Sequence, residues 1–372
     1  MNWTTPDGQH QQAPWRSAVG HPPPQRVQLA GDDMPADAAY RLLDAGIALL
    51  WLGDYQNARH LLQALGRRLD KRRRRAPERM APAEAFAAQR EEQAHRTRVL
   101  GGLLLPFDAD HAVPLPRAPD VRSAGAQVHG PQSGHYVQSL RELLGVVGAH
   151  EWRKKGVVIA ALGARIHPHH GVFSPVRGEY VPLVAQAPLP AVAAEQGAFD
   201  IGTGTGVLAA VLARRGLAVT ATDISPAAVA NAAENARRLG LRQKIQVLQA
   251  DLFPPGRAGL VVCNPPWVPA PAGAPLEVAV YDPDSRMLRG FLDGLAAHLV
   301  PGGEGWLILS DLAEHLGLRS RTELLGWIAQ AGLQVLGRLD TRPTHPQALD
   351  PSDPLHAARA AELTSLWRLA AM

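Results

Sequence analysis

An α/β fold is predicted for residues 198–372: a seven-stranded, doubly wound sheet, preceded by a mainly helical accessory region. Two observations predict it. From Ala198 onward, short apolar runs alternate with stretches of helical periodicity, the grammar of a parallel sheet flanked by helices. The first four of these runs also end at, or within two residues of, an Asp or Asn, at the carboxyl ends of strands where such a sheet gathers its ligand-binding groups.

The strands are expected at 197–200, 218–223, 245–249, 259–263, 305–310, 334–339 and 366–370, and the helices near 207–215, 226–239, 285–299 and 319–331. Arg214, Arg215 and Gly216 mark the end of the first of these helices. Ser225 followed by Pro226 is a start signal for the second.

The amino-terminal part reads differently. Residues 1–34 are rich in Pro, Gln, Gly and His and lack apolar periodicity, so a disordered arm is expected. Residues 35–155 are expected to form the mainly helical accessory domain. Tyr40, Leu43, Ile47 and Leu50 fall at helical spacing, Gly53 ends that helix, and Asp54 caps the next over 55–69. A third helix is expected over 82–100 and a fourth over 137–147, separated by an extended crossing at Pro106, Pro114, Pro116 and Pro119. Residues 156–197 are a linker. The basic run 71–75 reads either as a solvated helix end or as a patch for nucleic-acid phosphates.

Composition narrows the function. With 372 residues, 46% apolar and 19% charged, the chain is long enough for two domains. The formal net charge of +4 leans towards an acidic partner. A single cysteine, Cys263, excludes an internal disulfide framework and a Cys-pair zinc site, and it suits a reducing compartment. No apolar run approaches the roughly 20 residues of a membrane span, and the first residues show no secretory pattern. A cytoplasmic location and no membrane partner are therefore expected. His167, His169 and His170 lack companions at ligand spacing, so no metal is expected. Nothing in the sequence fixes an oligomeric state.

The loop Asp200-Ile201-Gly202-Thr203-Gly204-Thr205-Gly206 joins the first strand to its helix. Glycines at alternate positions permit a sharp turn and let a ligand approach the main-chain N–H groups. A dinucleotide fold normally writes this turn as GxGxxG, whereas this loop reads GxGxG. Asp223 stands at the end of the second strand, where a carboxylate accepts from ribose hydroxyls. Asp251 ends the third, where a carboxylate can accept from an adenine amino group. Ile224 and Leu252 adjoin the two acids and are counted with the same cofactor site.

Asn264-Pro265-Pro266-Trp267 follows the fourth strand and is the most specific feature of the chain. Two prolines fix φ and remove donors, so the turn presents carbonyl oxygens and the Asn side chain in a rigid arrangement, beside a flat indole face. The Asn264 oxygen and the Pro265 carbonyl can each accept one hydrogen from an –NH₂ group. That draws the nitrogen lone pair out of conjugation, making it nucleophilic without a general base.

With these residues in view, 198–372 resembles a class I S-adenosylmethionine-dependent methyltransferase of the small-domain group, which includes release-factor glutamine and rRNA guanine methyltransferases. The resemblance rests on DIGTGTG, Asp223, Asp251-Leu252, NPPW and the turn Leu299-Val300-Pro301-Gly302-Gly303. It implies a Rossmann-like methyltransferase sheet with S-adenosyl-L-methionine as cofactor. It also implies that the glycine loop holds the methionine part, that Asp223 binds ribose, that Asp251 faces adenine, and that NPPW holds the amino group to be methylated. Where this chain has Trp267 the group more often has Tyr or Phe. Gly171-Val172-Phe173-Ser174-Pro175, with Arg177, Glu179 and Tyr180, resembles the segment that closes over the cofactor, which makes Phe173, Ser174, Pro175 and Arg177 a substrate gate.

The acceptor favoured by the basic run and charge is a base in RNA, rRNA above all, unpaired or flipped to reach the pocket. A glutamine amide of a release factor or ribosomal protein offers the same planar –NH₂. A nicotinamide-dependent oxidoreductase leaves NPPW without a task, and a cofactor-binding module without catalysis would show no methyl transfer. The Pro-rich insertion 342–362, with His345 and His356, could shape substrate access, but its sequence does not say how.

Overall fold

The computed structural model describes all residues except 5–6, 73–79, 131–133, 175–177, 274, 345–349 and 352. Two compact units are present, residues 1–78 with 87–151 and residues 79–86 with 152–372.

The first unit runs β1 (Asn2–Thr4), β2 (His10–Gln12), β3 (Arg26–Ala30), α1 (Ala36–Asp44), β4 (Ile47–Trp51), α2 (Tyr55–Arg72), then α3 (Pro82–Gly101) from residue 87 on, β5 (Leu103–Phe107), α4 (Arg122–His129), β6 (Tyr136–Ser139) and α5 (Leu140–Lys155) as far as residue 151. Its centre is a four-stranded sheet in the order β3-β4-β5-β6. That sheet corrects three expectations. Residues 1–34 are not an unstructured arm throughout, because β3 pairs in parallel with β4 from Arg26↔Ile47 to Ala30↔Trp51. Partner strands remote in sequence supply what the local composition lacks.

The helix read through Tyr40, Leu43, Ile47 and Leu50 is instead a helix and a strand. Gly46, at φ +76°, turns the chain between them, and β4, central in its sheet, is buried over Ala48–Trp51. The expected helix over 137–147 likewise begins with the buried strand β6. Helices do cover this sheet, but they are not its core. Asp54 caps α2 as expected, its Oδ1 accepting from Gln56 N–H at 2.7 Å. Of the basic run 71–75, residues 73–75 lie outside the described residues.

In the second unit come β7 (Val157–Ile159), β8 (Ala164–Ile166), α6 (Val181–Gln186), α7 (Ala193–Gln196), β9 (Ala198–Ile201), α8 (Val207–Arg214), β10 (Val219–Asp223), α9 (Pro226–Arg238), β11 (Ile245–Gln249) and β12 (Ala258–Cys263). They are followed by α10 (Arg286–His298), β13 (Leu299–Ser310), α11 (Leu312–His315), α12 (Arg321–Gln330), β14 (Leu333–Thr341), α13 (His356–Ala361) and β15 (Thr364–Ala371). All seven expected strands are present in one sheet, ordered β11-β10-β9-β12-β13-β15-β14. The first five are parallel, and β15 runs antiparallel to both neighbours.

Two buried layers sandwich this sheet. Val207–Ala213 of α8 are buried on one side with Leu260, Val262, Trp306 and Ile308. Leu288, Phe291, Leu292 and Leu295 of α10 cover Phe199, Val261, Leu307 and Leu369 on the other. Each fully buried Val, Leu, Ile or Phe side chain among these contributes about 1.5–3 kcal/mol of transfer free energy. Charge is satisfied within the sheet: Glu304 accepts from the Trp306 indole at 2.9 Å and from Arg368 at 2.6 and 2.8 Å, joining β13 to β15. Among the described residues, no helix is long and apolar enough to cross a membrane.

Candidate active site

The strand order reverses between β9 and β12, so the chain leaves these two neighbours in opposite directions and opens a crevice at their carboxyl ends. Their register pairs Cys263 with Ile201. Asn264 therefore emerges beside Gly202, on strands about 4.8 Å apart. The glycine loop and the Asn-Pro-Pro-Trp turn, far apart in sequence, line one site.

Gly202, Gly204 and Gly206 have φ of +69°, +55° and +80°. All three are left-handed, the conformation that glycine adopts without the strain of a side chain. Thr203 N–H donates to Thr222 O at 2.8 Å, tying the loop to β10. Asp200 braces it from below: its Oδ2 accepts from Thr203 Oγ1 at 2.6 Å and from Ala209 N–H at 2.9 Å. Burial pushes the Asp200 carboxyl up to about 6, with hydrogen bonds from Thr203 and Ala209 opposing it and the Asp223 charge adding to it. The Thr205 carbonyl accepts from Asn235 Nδ2 at 2.9 Å.

Asp223 faces this loop from the end of β10. Its Oδ2 accepts from Gly204 N–H and its Oδ1 from Ser225 N–H, both at 2.9 Å. Ile224 beside it is 59% exposed, an apolar surface at the crevice rim. Asp251 is also exposed and pairs with Arg286 at 2.9 Å, so an adenine amino group would share that carboxylate with a guanidinium. Leu252 takes a left-handed φ of +70°, and its carbonyl accepts from Thr222 Oγ1 at 2.5 Å. A Cβ added at Gly204 would meet nothing within 4 Å. The open space above Gly204, the adjoining acid and the apolar rim fit a nucleoside with a short charged tail.

Pro265 and Pro266 are buried, while Asn264 and Trp267 are half-buried. The Trp267 indole Nε1–H donates to Asn264 Oδ1 at 2.9 Å. Its ring meets Tyr180 edge to face, centroids 6.3 Å apart at 84°, and it packs where three apolar clusters adjoin. Burial raises the Tyr180 hydroxyl far above its ordinary range, Asp200 and Glu179 add to this, and the Asn264 side chain opposes it. Arg319, 3% exposed, donates through Nη2 to the Trp267 carbonyl at 3.4 Å. Its Nε has no hydrogen-bond partner, and burial lowers its pKa.

Upstream, Phe173 and Ser174 are half-buried and the Ser174 hydroxyl oxygen is buried without a partner. Pro175 and Arg177 lie outside the described residues. His167 and His169 serve as fasteners. Their N–H groups donate to Asn235 Oδ1 at 2.8 Å and Asn231 Oδ1 at 2.9 Å, and His169 Nε2 meets Glu234 at 2.6 Å.

Sequence reasoning missed the asparagine pair and the parts played by Tyr180 and Arg319. The i, i+4 spacing of Asn231 and Asn235 on one face of α9 was the available signal for the pair. Arg319 gives none. Cys263 is fully buried and packs in the core. Among the described residues no metal-binding cluster is present.

A sheet of this order, with a glycine turn at its switch point and an acid at the end of the adjoining strand, defines the class I S-adenosylmethionine-dependent methyltransferase type of domain. Residues 163–320 match the family described as the methyltransferase small domain.

Release factor glutamine methyltransferase of Cereibacter sphaeroides is 37% identical over 161 residues, 38% of this chain and 55% of that protein. The enzyme of the same name from Moorella thermoacetica is 43% identical over 115 residues, 29% of this chain and 41% of its own. Ribosomal RNA small subunit methyltransferase C of Alcanivorax borkumensis is 32% identical over 138 residues, 33% of this chain and 38% of its own. The chain spans about half, or less, of the length of these relatives.

Proposed function

We propose that the protein is an S-adenosylmethionine-dependent N-methyltransferase acting on a planar amino nitrogen, and that the acceptor is the side-chain amide of a glutamine in a protein of translation. The observation that carries the reaction type is the register of β9 and β12, which sets the rigid Asn264 turn beside the glycine cradle. The relatives named as release factor glutamine methyltransferases support the amide acceptor. A base in rRNA is the second reading, supported by the rRNA methyltransferase among the relatives and by the basic run.

The cofactor supplies a methyl group whose bond to sulfur breaks as its bond to the acceptor nitrogen forms, leaving S-adenosylhomocysteine, and the surplus proton on nitrogen passes to water. Gly202–Gly206 and Asp223 hold the nucleoside and its tail, with Asp200 bracing the loop. Asn264 Oδ1 and the Pro265 carbonyl each accept one acceptor N–H, which aligns the nitrogen lone pair and stabilises the charge growing on it. Orientation of this kind supplies up to roughly 7–11 kcal/mol. Phe173, Ser174, Pro175 and Arg177 are assigned to the gate, and the first unit to acceptor recognition, in keeping with its position outside the family match.

Asn264→Ala should lower turnover at least a hundredfold while cofactor affinity, measured by calorimetry, stays within about threefold. Parental turnover in that variant would overturn the reaction type. Methyl-labelled cofactor given to fractions of cells lacking the gene identifies the acceptor: label in a translation protein supports the amide, and label in rRNA replaces it with the base.

A further inference from the structure

We infer that Trp267 is a positioning residue that selects which end of the Asn264 carboxamide serves the acceptor; this deepens the methyl-transfer reading above and rests on it. A carboxamide has two ends of nearly equal size and opposite hydrogen-bonding sense. An Asn264 flipped by a half-turn would present an N–H donor to the donor –NH₂ it has to hold. The prolines that follow rigidify the backbone but do not act on this rotation.

The indole does. Its Nε1–H only donates, and at 2.9 Å it meets Asn264 Oδ1. It occupies one lone pair of that oxygen and leaves the other for the acceptor. The indole is itself fixed, packed among three apolar clusters and edge to face with Tyr180, while Arg319 donates to the backbone carbonyl of Trp267. The Tyr180 hydroxyl, on a side chain 4% exposed, also interacts with the Asn264 side chain, so the amide is engaged by two ordered neighbours. A phenylalanine at 267 keeps a flat face but has no N–H with which to choose an end.

The test is a double-mutant cycle on the full chain, with methyl-tritiated S-adenosylmethionine and a translation-factor and ribosome fraction from cells lacking the gene. Trp267→Phe should lower the rate at saturating cofactor about tenfold, with the KM for cofactor within twofold. In an Asn264→Asp background both ends are oxygen and there is no wrong one, so adding Trp267→Phe should cost less than about threefold. Equal penalties in the two backgrounds would overturn the inference. Parental activity in Asn264→Ala would instead remove the reaction type itself, so the two failures are told apart. Should Asn264→Asp turn over too slowly to measure, hydrogen exchange of the Trp267 indole decides. Exchange at least tenfold faster in Asn264→Ala supports the inference, and an unchanged rate overturns it.

Discussion

Asp223 ties the glycine loop to the start of the next helix: its Oδ2 accepts the Gly204 N–H at 2.9 Å while Oδ1 accepts that of Ser225 at the same distance. Each oxygen keeps a further lone pair, with which the proposed cofactor site would accept a diol. Asp223→Asn places an amide nitrogen against one of the two N–H donors, and Asp223→Ala removes both acceptors. Both variants should bind S-adenosylmethionine at least tenfold more weakly by calorimetry, because a hydrogen bond to a charged group contributes about 1.5–3 kcal/mol. Unchanged affinity in both would take Asp223 out of the cofactor site.

The loop glycines should separate folding from binding. Gly206→Ala would set a Cβ 3.1 Å from Ala232 Cα at φ +80°, so strain and a backbone contact act together. Gly204→Ala meets only open space at φ +55°, and its strain costs about 1–2 kcal/mol. Thermal melts should therefore show the larger loss for Gly206→Ala. Added cofactor should stabilise Gly204→Ala much less than the parent, since the new methyl occupies the cradle. Full cofactor stabilisation of that variant would show that the space above Gly204 is not used.

Asp200 carries a pH signature. Its carboxyl is raised to about 6 by burial from an ordinary 3.8. The folded state thus holds a proton more tightly than the unfolded chain, and stability falls as pH rises between those two values. Asp200→Asn keeps an oxygen for Thr203 and Ala209 and abolishes the buried charge. The decline that Asp200 contributes across that window should be absent, and the variant's stability should exceed the parent's at pH 8 by up to about 3 kcal/mol. Parallel pH–stability curves for the two proteins would refute this.

Glu234 gives the opposite sign. Burial alone would raise it, but hydrogen bonds from His169, Arg238 and Arg153 outweigh that and hold it at about 2, below an ordinary 4.5. The resulting stability is complete above 4.5 and disappears as pH falls towards 2. With its side chain 13% exposed, Glu234→Gln should cost about 2–3 kcal/mol at neutral pH and leave acid unfolding less steep. Denaturant titrations at pH 7 and pH 3 measure both effects.

The second unit was largely legible because its strands are local apolar runs, each set off by a glycine, proline or acid, and because GxGxG and NPPW each form within one turn. The first unit was not. Tyr40, Leu43, Ile47 and Leu50 mimic one helix because two short elements meet at Gly46 with their apolar positions in phase. Arg26–Ala30 becomes a strand only through the pairing that β4 provides. At the site, the position of Asn264 followed from its motif, but its indole partner did not, since a hydrogen bond between side chains three residues apart depends on how the two prolines bend the chain. Arg319 reaches Trp267 across 52 residues of sequence, and no local pattern encodes such a meeting.

The insertion of β15 between β13 and β14 has a consequence for how the protein is made. On a translating ribosome, the strand that fills the gap is the last of the seven to emerge. Until it does, β13 and β14 each present a bare hydrogen-bonding edge, the kind of surface that recruits other chains. Nascent molecules are thus most vulnerable to aggregation in the interval before β15 joins the sheet, and chaperone dependence should concentrate there.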